Sequence, residues 1–210
     1  MHTLIISADQ QSSLTAMTPA AIVAGCALVF TVVTFWLLNA YQGNLKSWEP
    51  QSFSAAITSS LARLRLPLVL YNTGAKPIVI LDLRVTFPDG GQSVGTLQWQ
   101  AACTQLRPKQ GEDRNMKSSF AISGRAAEQV FIEFGADFPA FIPEVRDYVA
   151  RVEVKVGHKE GWQTLIDFTL RIPHIRYPDS YITYDNSSRE VAQEERDSLE
   201  AAFGKLRSGV

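Results

Sequence analysis

The chain has 210 residues, a length that allows one ordinary domain with short appendages. Hydrophobic residues make up 46% and charged residues 20%, a composition that supports a packed core and excludes general disorder. The formal net charge is −1, so there is no global basic field, and we expect no nucleic-acid partner.

The first predicted element is a transmembrane helix over residues 19–41, preceded by a tail over residues 1–18. The helix segment is almost continuously apolar, and no residue between Gln10 and Leu45 carries a charge. About 20 such residues cross the hydrocarbon core of a bilayer as a helix. A cleaved signal peptide would have a basic leading region and a shorter apolar region, and a buried soluble helix is rarely apolar on all sides. We therefore expect a retained single-pass anchor with membrane lipid as its partner.

The residues that flank this helix leave its orientation open. No Lys or Arg precedes the helix and Lys46 follows it, which under the positive-inside rule favours a cytoplasmic C-terminal domain. Anchored β-sandwiches more often face outward, and the localisation leans slightly to the extracytoplasmic side.

Ala21 and Gly25 form a small-xxx-small pair suited to a homodimer, although small residues are common in spanning helices.

A linker over residues 42–51 leads into a predicted β-domain over residues 52–173. Leu64, Leu66, Leu68 and Leu70 alternate with Arg65, Pro67 and Val69, as in a strand with one packed and one wet face. Pro67 cannot donate to a ladder, so we expect it at an edge or a bulge. The same alternation recurs in the segments 81–87, 130–134, 148–156 and 165–172, with shorter strands near 53–59, 94–99 and 120–122. Short strands at this spacing, with glycine-bracketed turns and no helical pattern between them, predict a two-sheet antiparallel sandwich.

A polar turn, YNTGAKP, separates two of the best-patterned strands. Asn72 can bond neighbouring backbone, Gly74 can adopt positive φ, and Pro77 stiffens the entry to the next strand. With Val69, and with one offset after it, these residues resemble the V-x-N-x-G-x-x-P stretch of bacterial immunoglobulin-like modules, including the adhesion-related kind. The resemblance implies an all-β, immunoglobulin-like β-sandwich. The layout of one N-terminal helix and one such module resembles that of many bacterial single-pass membrane proteins.

Residues 174–210 are predicted as a C-terminal loop and a short helical tail. Ser187 and Glu190 have the spacing of a capping box, and a thin apolar stripe follows them. The tail either lies on the sandwich, frays, or binds a partner helix.

The residues predict no catalytic, cofactor or metal site. Cys26 and Cys103 lie in different parts of the chain, and none of the three histidines forms a pair with metal-ligand spacing. The GxSxG, P-loop and GxGxxG motifs do not occur. We predict that the protein is not an enzyme, with one alternative: a glycosidase-like carboxylate pair assembled in space from the loop residues Glu112, Asp113, Asp137, Glu144 and Asp147.

Two segments are candidate interaction surfaces for a protein partner. Arginine and tyrosine are favoured interface residues, and the first segment contains Arg171, Arg176, Tyr177, Tyr181 and Tyr184. The second is a proline-stiffened loop with Phe138 and Phe141, which could instead fold back over the core. Asn186 begins an NSS sequence that accepts a glycan only in a secretory eukaryotic setting.

The sequence therefore predicts a membrane-anchored, non-enzymatic interaction or structural module. The alternative is a ligand-binding sensory module that signals through its helix.

Overall fold

The computed structural model describes residues 19–58, 60–89, 95–109, 112, 114–137, 146–172 and 180–186. Within them the chain forms one helix followed by eleven strands. The elements are α1 (Pro19–Asn39), β1 (Leu45–Ser47), β2 (Ser52–Ile57), β3 (Leu61–Asn72), β4 (Ile78–Thr86), β5 (Leu97–Cys103), β6 (Asn115–Met116), β7 (Phe120–Ile122), β8 (Ala127–Asp137), β9 (Asp147–Val156), β10 (Gln163–Arg171) and β11 (Ile182–Asp185). The prediction of an all-β domain after one N-terminal helix is confirmed.

Helix α1 is long and apolar enough to span a membrane. Its 21 residues correspond to about 31 Å, close to the thickness of the hydrocarbon core of a bilayer. None of its residues is buried by the rest of the protein. The helix therefore leaves its whole apolar surface open to its surroundings.

The strands form one antiparallel sheet in the order β10-β9-β4-β5-β8-β3-β2-β11. The short strands β1, β6 and β7 pair with β3, β5 and β4 respectively. Because β5 pairs with both β4 and β8, it joins the two groups of strands, and the arrangement is a half-barrel. The two separate sheets of the predicted sandwich are not confirmed.

The core lies on one face of this sheet, and local alternation predicted most of it. Leu64, Leu66, Leu68 and Leu70 of β3 are buried, as expected, and so are the even-numbered residues of β9 from Tyr148 to Val156. Strand β4 differs from the prediction: Leu81 was expected on the core face but is 42% exposed. A register irregularity between Ile80 and Asp82 shifts the alternation by one residue, because a bulge places two residues opposite one.

Pro67 has the edge position that its missing N–H predicts. Strand β3 pairs along its whole length with β8 on one side. On the other side, β2 pairs with residues 62–65 and β1 pairs with residues 70–72. Pro67 lies in the gap between them, where no ladder hydrogen bond is needed.

The sheet extends beyond the boundaries expected from the sequence. The segment 42–51, expected as a linker, contains β1, and the segment 174–210, expected as a loop and tail, contains β11. Both strands are short and weakly patterned, and they are held by pairing with β3 and β2. The helix expected from Ser187 onward lies outside the described residues.

Candidate functional site

The end of α1 is joined to the β-domain by a hydrogen-bonded junction. The carbonyl oxygen of Tyr41 accepts hydrogen bonds from the N–H groups of Ala75 and Lys76 at 2.8 and 3.3 Å. The backbone N–H of Asn44 donates to Oγ1 of Thr73 at 2.9 Å, and the N–H of Thr73 donates to the carbonyl of Asn44 at 3.1 Å. The turn between β3 and β4 is therefore the docking point for the chain that leaves the helix.

Asn72 and three glycines give this junction its close fit. The Nδ2 group of Asn72 donates to the carbonyls of Lys76, Ile122 and Ser123, and its Oδ1 accepts from the N–H of Gly74 at 2.9 Å. A Cβ on either Gly43 or Gly74 would overlap the backbone of the other, and a Cβ on Gly124 would overlap the carbonyl of Ala75. Only glycine permits three backbones to approach this closely.

Arg125 fastens the helix itself to the domain. Its Nη2 donates to the carbonyl oxygen of Leu37, in the last turn of α1, at 2.7 Å. Carbonyls in the last helical turn lack intrahelical partners and carry partial negative charge, so a guanidinium is a favourable ligand there. Arg125 has a positive φ of 55°, and its N–H donates to the carbonyl of Gly74 at 2.8 Å. The guanidinium thus contributes a second point of attachment, beside the one at Tyr41.

A second candidate site is a buried network of charged side chains on the face of β3 and β8 opposite the hydrophobic core. Arg65 and Glu133 are register partners on these strands and are 1% and 0% exposed. Nη2 of Arg65 donates to Oε2 of Glu133 at 2.8 Å, and Nη1 donates to both oxygens of Glu112 and to the carbonyl of Gln105. The alternation in β3 predicted that Arg65 is exposed to solvent. That prediction is wrong, because Gln105 and Glu112, which follow β5, cover its guanidinium.

Other cations reinforce the carboxylates of this network. Nη2 of Arg114 donates to Oε1 of Glu133, and Nε of Arg63 lies 3.9 Å from the same oxygen. Burial acts to raise the pKa of Glu112, but the hydrogen bonds and charge of Arg65 outweigh it, so the pKa is lowered. Burial acts to lower the pKa of Arg65, but its hydrogen bonds to Glu133 and Glu112 raise it. Both partners are therefore ionised at neutral pH.

Tyr181, one of the predicted interface residues, contacts both Arg65 and Glu133 of this network. Its hydroxyl donates to Oε2 of Glu133 at 2.7 Å, and the guanidinium carbon of Arg65 lies 5.3 Å from the centre of its ring. Burial and then the hydrogen bond to Glu133 raise the pKa of Tyr181 far above its ordinary value. Tyr181 is thus engaged inside the domain, with its polar end turned away from solvent.

Arg171 and Tyr184 also make contacts within the domain. The ring of Tyr184 packs on Phe53 with centroids 5.2 Å apart, and burial raises the pKa of its hydroxyl. Nη1 of Arg171 donates to the carbonyl of Asn186 at 2.7 Å, and its Nε lies 3.8 Å from Oδ2 of Asp147. The other predicted interface residues, Arg176, Tyr177, Phe138 and Phe141, lie outside the described residues.

Asn186 bridges the two ends of the strand order. Its Oδ1 accepts from the N–H of Arg171 at 2.9 Å, and its Nδ2 donates to the carbonyls of Thr169 and Pro50 at 2.8 and 3.1 Å. The residue is 2% exposed. Its amide therefore works as a clasp between β10 and the end of β11, and it has no room for a glycan.

The carboxylates of the charged network are covered and paired, so they are not available to a solute. Arg65 and Glu133 are covered, and every carboxylate oxygen of Glu133 and Glu112 faces at least one cation. Burial raises the pKa of the neighbouring Cys103, which keeps that thiol protonated. No group of three or more metal-ligating side chains occurs among the residues that the structure describes. The arrangement fits a stabilising role better than one in binding a solute.

Sequence reasoning missed both sites, since neither leaves a local motif. Arg65 and Glu133 each look like an ordinary outward charge in an alternating strand. The one available signal was that the two strands carry opposite charges, which is informative only once their register is known.

Comparisons with known proteins identify no family. No protein-family model matches the chain, and no curated protein matches it. Among solved structures, the chain is similar to a protein from Archaeoglobus fulgidus, with 9% identity, a TM-score of 0.38, and coverage of 69% of this chain and 100% of that one. It is also similar to part of a family 123 glycoside hydrolase from Clostridium perfringens, with 13% identity, a TM-score of 0.28, and coverage of 56% of this chain and 21% of that one. Neither likeness is close enough to support a function.

Proposed function

We propose that this protein is a membrane-anchored, non-enzymatic interaction or structural module. In this proposal α1 spans the bilayer and the β-domain rests directly on the membrane surface. The observation that carries it is the junction, where the last turn of an exposed apolar helix is hydrogen-bonded to Arg125, and Tyr41, just beyond that turn, is hydrogen-bonded to Ala75.

The junction supports a retained anchor over a cleaved signal sequence. A signal peptide is removed from the mature protein, so a mature domain has no use for contacts with it. Here the carbonyls of Leu37 and Tyr41 accept hydrogen bonds from the domain, and Gly43 packs against Gly74. Cleavage near the end of the helix would leave those donors unpaired and would remove the packing.

The charged network supports a structural role for the domain. A catalytic carboxylate must reach its substrate and change protonation during turnover. Glu133 is instead covered, and its oxygens are held by Arg65, Arg114 and Tyr181. Such a cluster stiffens the sheet and leaves the exposed surface to make external contacts.

The anchor is tested by expressing the full chain in bacteria, washing the membranes at alkaline pH, and weighing the intact protein by mass spectrometry. We expect the protein in the membrane pellet at the full mass of 23.3 kDa. A shorter protein in the wash, without residues 19–39, would contradict the proposal.

The interaction role is tested by photo-crosslinking at exposed apolar side chains of the β-domain. Trp48, Leu81 and Met116 are the natural positions, because each is large, apolar and more than 40% exposed. We expect a discrete crosslinked product with a protein partner or a second copy from at least one of them. The exposed Arg107 is the matched control position. Monomer alone at all three positions would argue against an interaction role.

A sensory role is the second candidate, and a cleft beside β5 favours it. The cleft has a volume of about 380 Å³ and is lined by Trp99, Met116, Phe120, Val130 and Ile132, among others. Small-molecule sites typically start near about 300 Å³ and are largely apolar. Saturable binding of an apolar fluorescent dye, lost in Val130→Trp but kept in Val79→Trp, would support this role.

A further inference from the structure

Four segments of the chain meet at the end of α1, and each contributes one cation. They are the end of α1 with the chain that follows it into β1 (37–46), the end of β3 with the turn after it (72–77), the loop before β8 with the first two residues of that strand (123–128), and the turn between β9 and β10 (157–161). Their cations are Lys46, Lys76, Arg125 and Lys159, which we call the junction rim. The same segments contain two carboxylates, Glu128 and Glu160. The four segments together therefore carry a net positive charge, although the formal charge of the whole chain is −1.

Contacts with the helix end fix the position of the rim. Arg125 is bonded to the carbonyl of Leu37, and Nζ of Lys159 donates to Oδ1 of Asn44 at 2.8 Å. The N–H of Lys76 donates to the carbonyl of Tyr41, while its side chain is exposed, and Lys46 is exposed two residues beyond Asn44. Arg125 is therefore bonded to the last turn of the helix, and the other three cations belong to segments bonded to, or continuous with, the chain just beyond it.

That point lies at the level of lipid headgroups when α1 spans a bilayer. The helix is about as long as the hydrocarbon core is thick, so its last turn reaches the interface. Trp36 and Tyr41 mark the same level, with ring centroids 5.6 Å apart, and aromatic residues of this kind favour the interface. Cations next to this level lie within the reach of headgroup charge, since the Debye length is about 8 Å at physiological ionic strength.

We propose that the junction rim binds the phosphate headgroups of acidic phospholipids. The proposal rests on the proposed function, because it requires α1 to span the bilayer. The Nη2 group of Arg125 is held by the helix, and a guanidinium has further N–H donors with which to bind phosphate. Lys46 and Lys76 provide exposed ammonium groups beside it. The lipid then completes a site of which the protein supplies the cationic half.

The test measures which lipids border the full chain in phosphatidylcholine vesicles. Trace spin-labelled phosphatidylglycerol and spin-labelled phosphatidylcholine are compared by electron paramagnetic resonance, which gives their relative association with the protein. We expect a preference for phosphatidylglycerol of at least about threefold at low salt. It should approach one at 1 M NaCl, where the Debye length is about 3 Å.

Matched variants assign the preference to the rim. Lys46→Gln/Lys76→Gln should remove most of it. Arg107→Gln/Lys109→Gln, which removes two exposed cations from the loop after β5, should leave it unchanged. Two results would overturn the lipid-binding proposal and leave the proposed anchor standing. One is that both double variants reduce the preference for phosphatidylglycerol equally. The other is that the protein restricts the motion of lipid but shows no preference between the two headgroups. An absence of any restricted lipid shows that α1 is not in the bilayer and overturns the proposed anchor as well.

Discussion

Glu133 is the residue on which the buried charge of the β-domain converges. It receives hydrogen bonds from Arg65, Arg114 and Tyr181, which come from three separate parts of the chain. An ion pair of this kind adds little over a well-packed apolar core, but removing one partner leaves the other charge buried and unpaired. The stability of the domain should therefore depend strongly on this one carboxylate.

We expect Glu133→Gln to lower the free energy of unfolding by about 3 kcal/mol, because Arg65 loses its buried counter-charge. Urea unfolding of the detergent-solubilised protein, followed by tryptophan fluorescence, measures it. The control is Glu153→Gln, whose carboxylate pairs with Arg84 at 2.6 Å near the surface and should contribute at most about 1 kcal/mol. Equal losses in the two variants would contradict a special role for the buried pair.

The lowered pKa of Glu112 predicts a dependence of stability on acid. Arg65 holds this pKa below the ordinary value of 4.5, and the stabilisation is fully present above that value. It is lost as the pH falls through the lower, folded-state pKa, because the unfolded state then binds the proton more readily. Urea unfolding at pH 7 and at pH 3 measures this. The decrease in the free energy of unfolding from pH 7 to pH 3 should be smaller in Glu112→Gln than in the unchanged protein. Parallel losses would show that this carboxyl is not linked to folding.

At the scale of single elements, β11 is a short strand with side-chain bonds at both of its ends. It has four residues and, among the strands that the structure describes, pairs with β2. Tyr181 precedes the strand, and its hydroxyl donates to Glu133. Asn186 follows the strand, and its side chain is hydrogen-bonded to the backbone of β10. Strands this short pair weakly by themselves, so we expect the flanking side chains to contribute much of the attachment of β11.

Asn186→Ala should release this strand. Three side-chain hydrogen bonds are lost at about 1 kcal/mol each, which predicts a loss of about 3 kcal/mol and faster amide exchange over residues 182–185. Hydrogen exchange read by mass spectrometry measures it, with the exposed Asn115→Ala as the control. Unchanged protection of β11 would show that pairing with β2 alone holds the strand.

The elements also show how far local sequence patterns reach. The period of two in β3 and β9 identified their buried faces because it depends only on the strand itself. The irregularity after Ile80, the pairing of Arg65 with Glu133, and the bridge from Asn186 to β10 all depend on register between distant segments. Asn72 and Gly74 were recognised as turn residues, but Gly74 does not adopt the positive φ that the sequence predicted. The fold requires glycine there for another reason, the close approach of Gly74 to Gly43, which no local pattern indicates.

At the scale of the whole molecule, the main feature is the short, bonded connection between helix and sheet. A flexible linker would let the domain tumble above the membrane. Here the chain passes from Asn39, at the end of α1, to Leu45, at the start of β1, and both Tyr41 and Asn44 between them are hydrogen-bonded to the β3–β4 turn. A force or rotation applied to the domain should therefore reach the helix.

Gly74→Ala should disrupt this connection, because the new Cβ overlaps the backbone of Gly43 and neither side is a flexible side chain. We expect a loss of about 1–3 kcal/mol, as for other overpacked sites, and new protease cleavage over residues 40–44. Gly157→Ala is the control, since its Cβ makes only ordinary contacts. A resistant junction in Gly74→Ala would mean that the two glycine backbones do not touch.

The rigidity of the junction is measured most directly by the distance distribution between helix and domain in lipid nanodiscs. Spin labels at Leu28 of α1 and Lys155 of β9, in a chain with Cys26→Ala and Cys103→Ala, are measured by double electron–electron resonance. A rigid junction predicts one distribution as narrow as that of a reference pair within the domain, at Lys155 and Arg107. A distribution several times broader than the reference would show that the domain swings freely on its anchor, and would contradict the account.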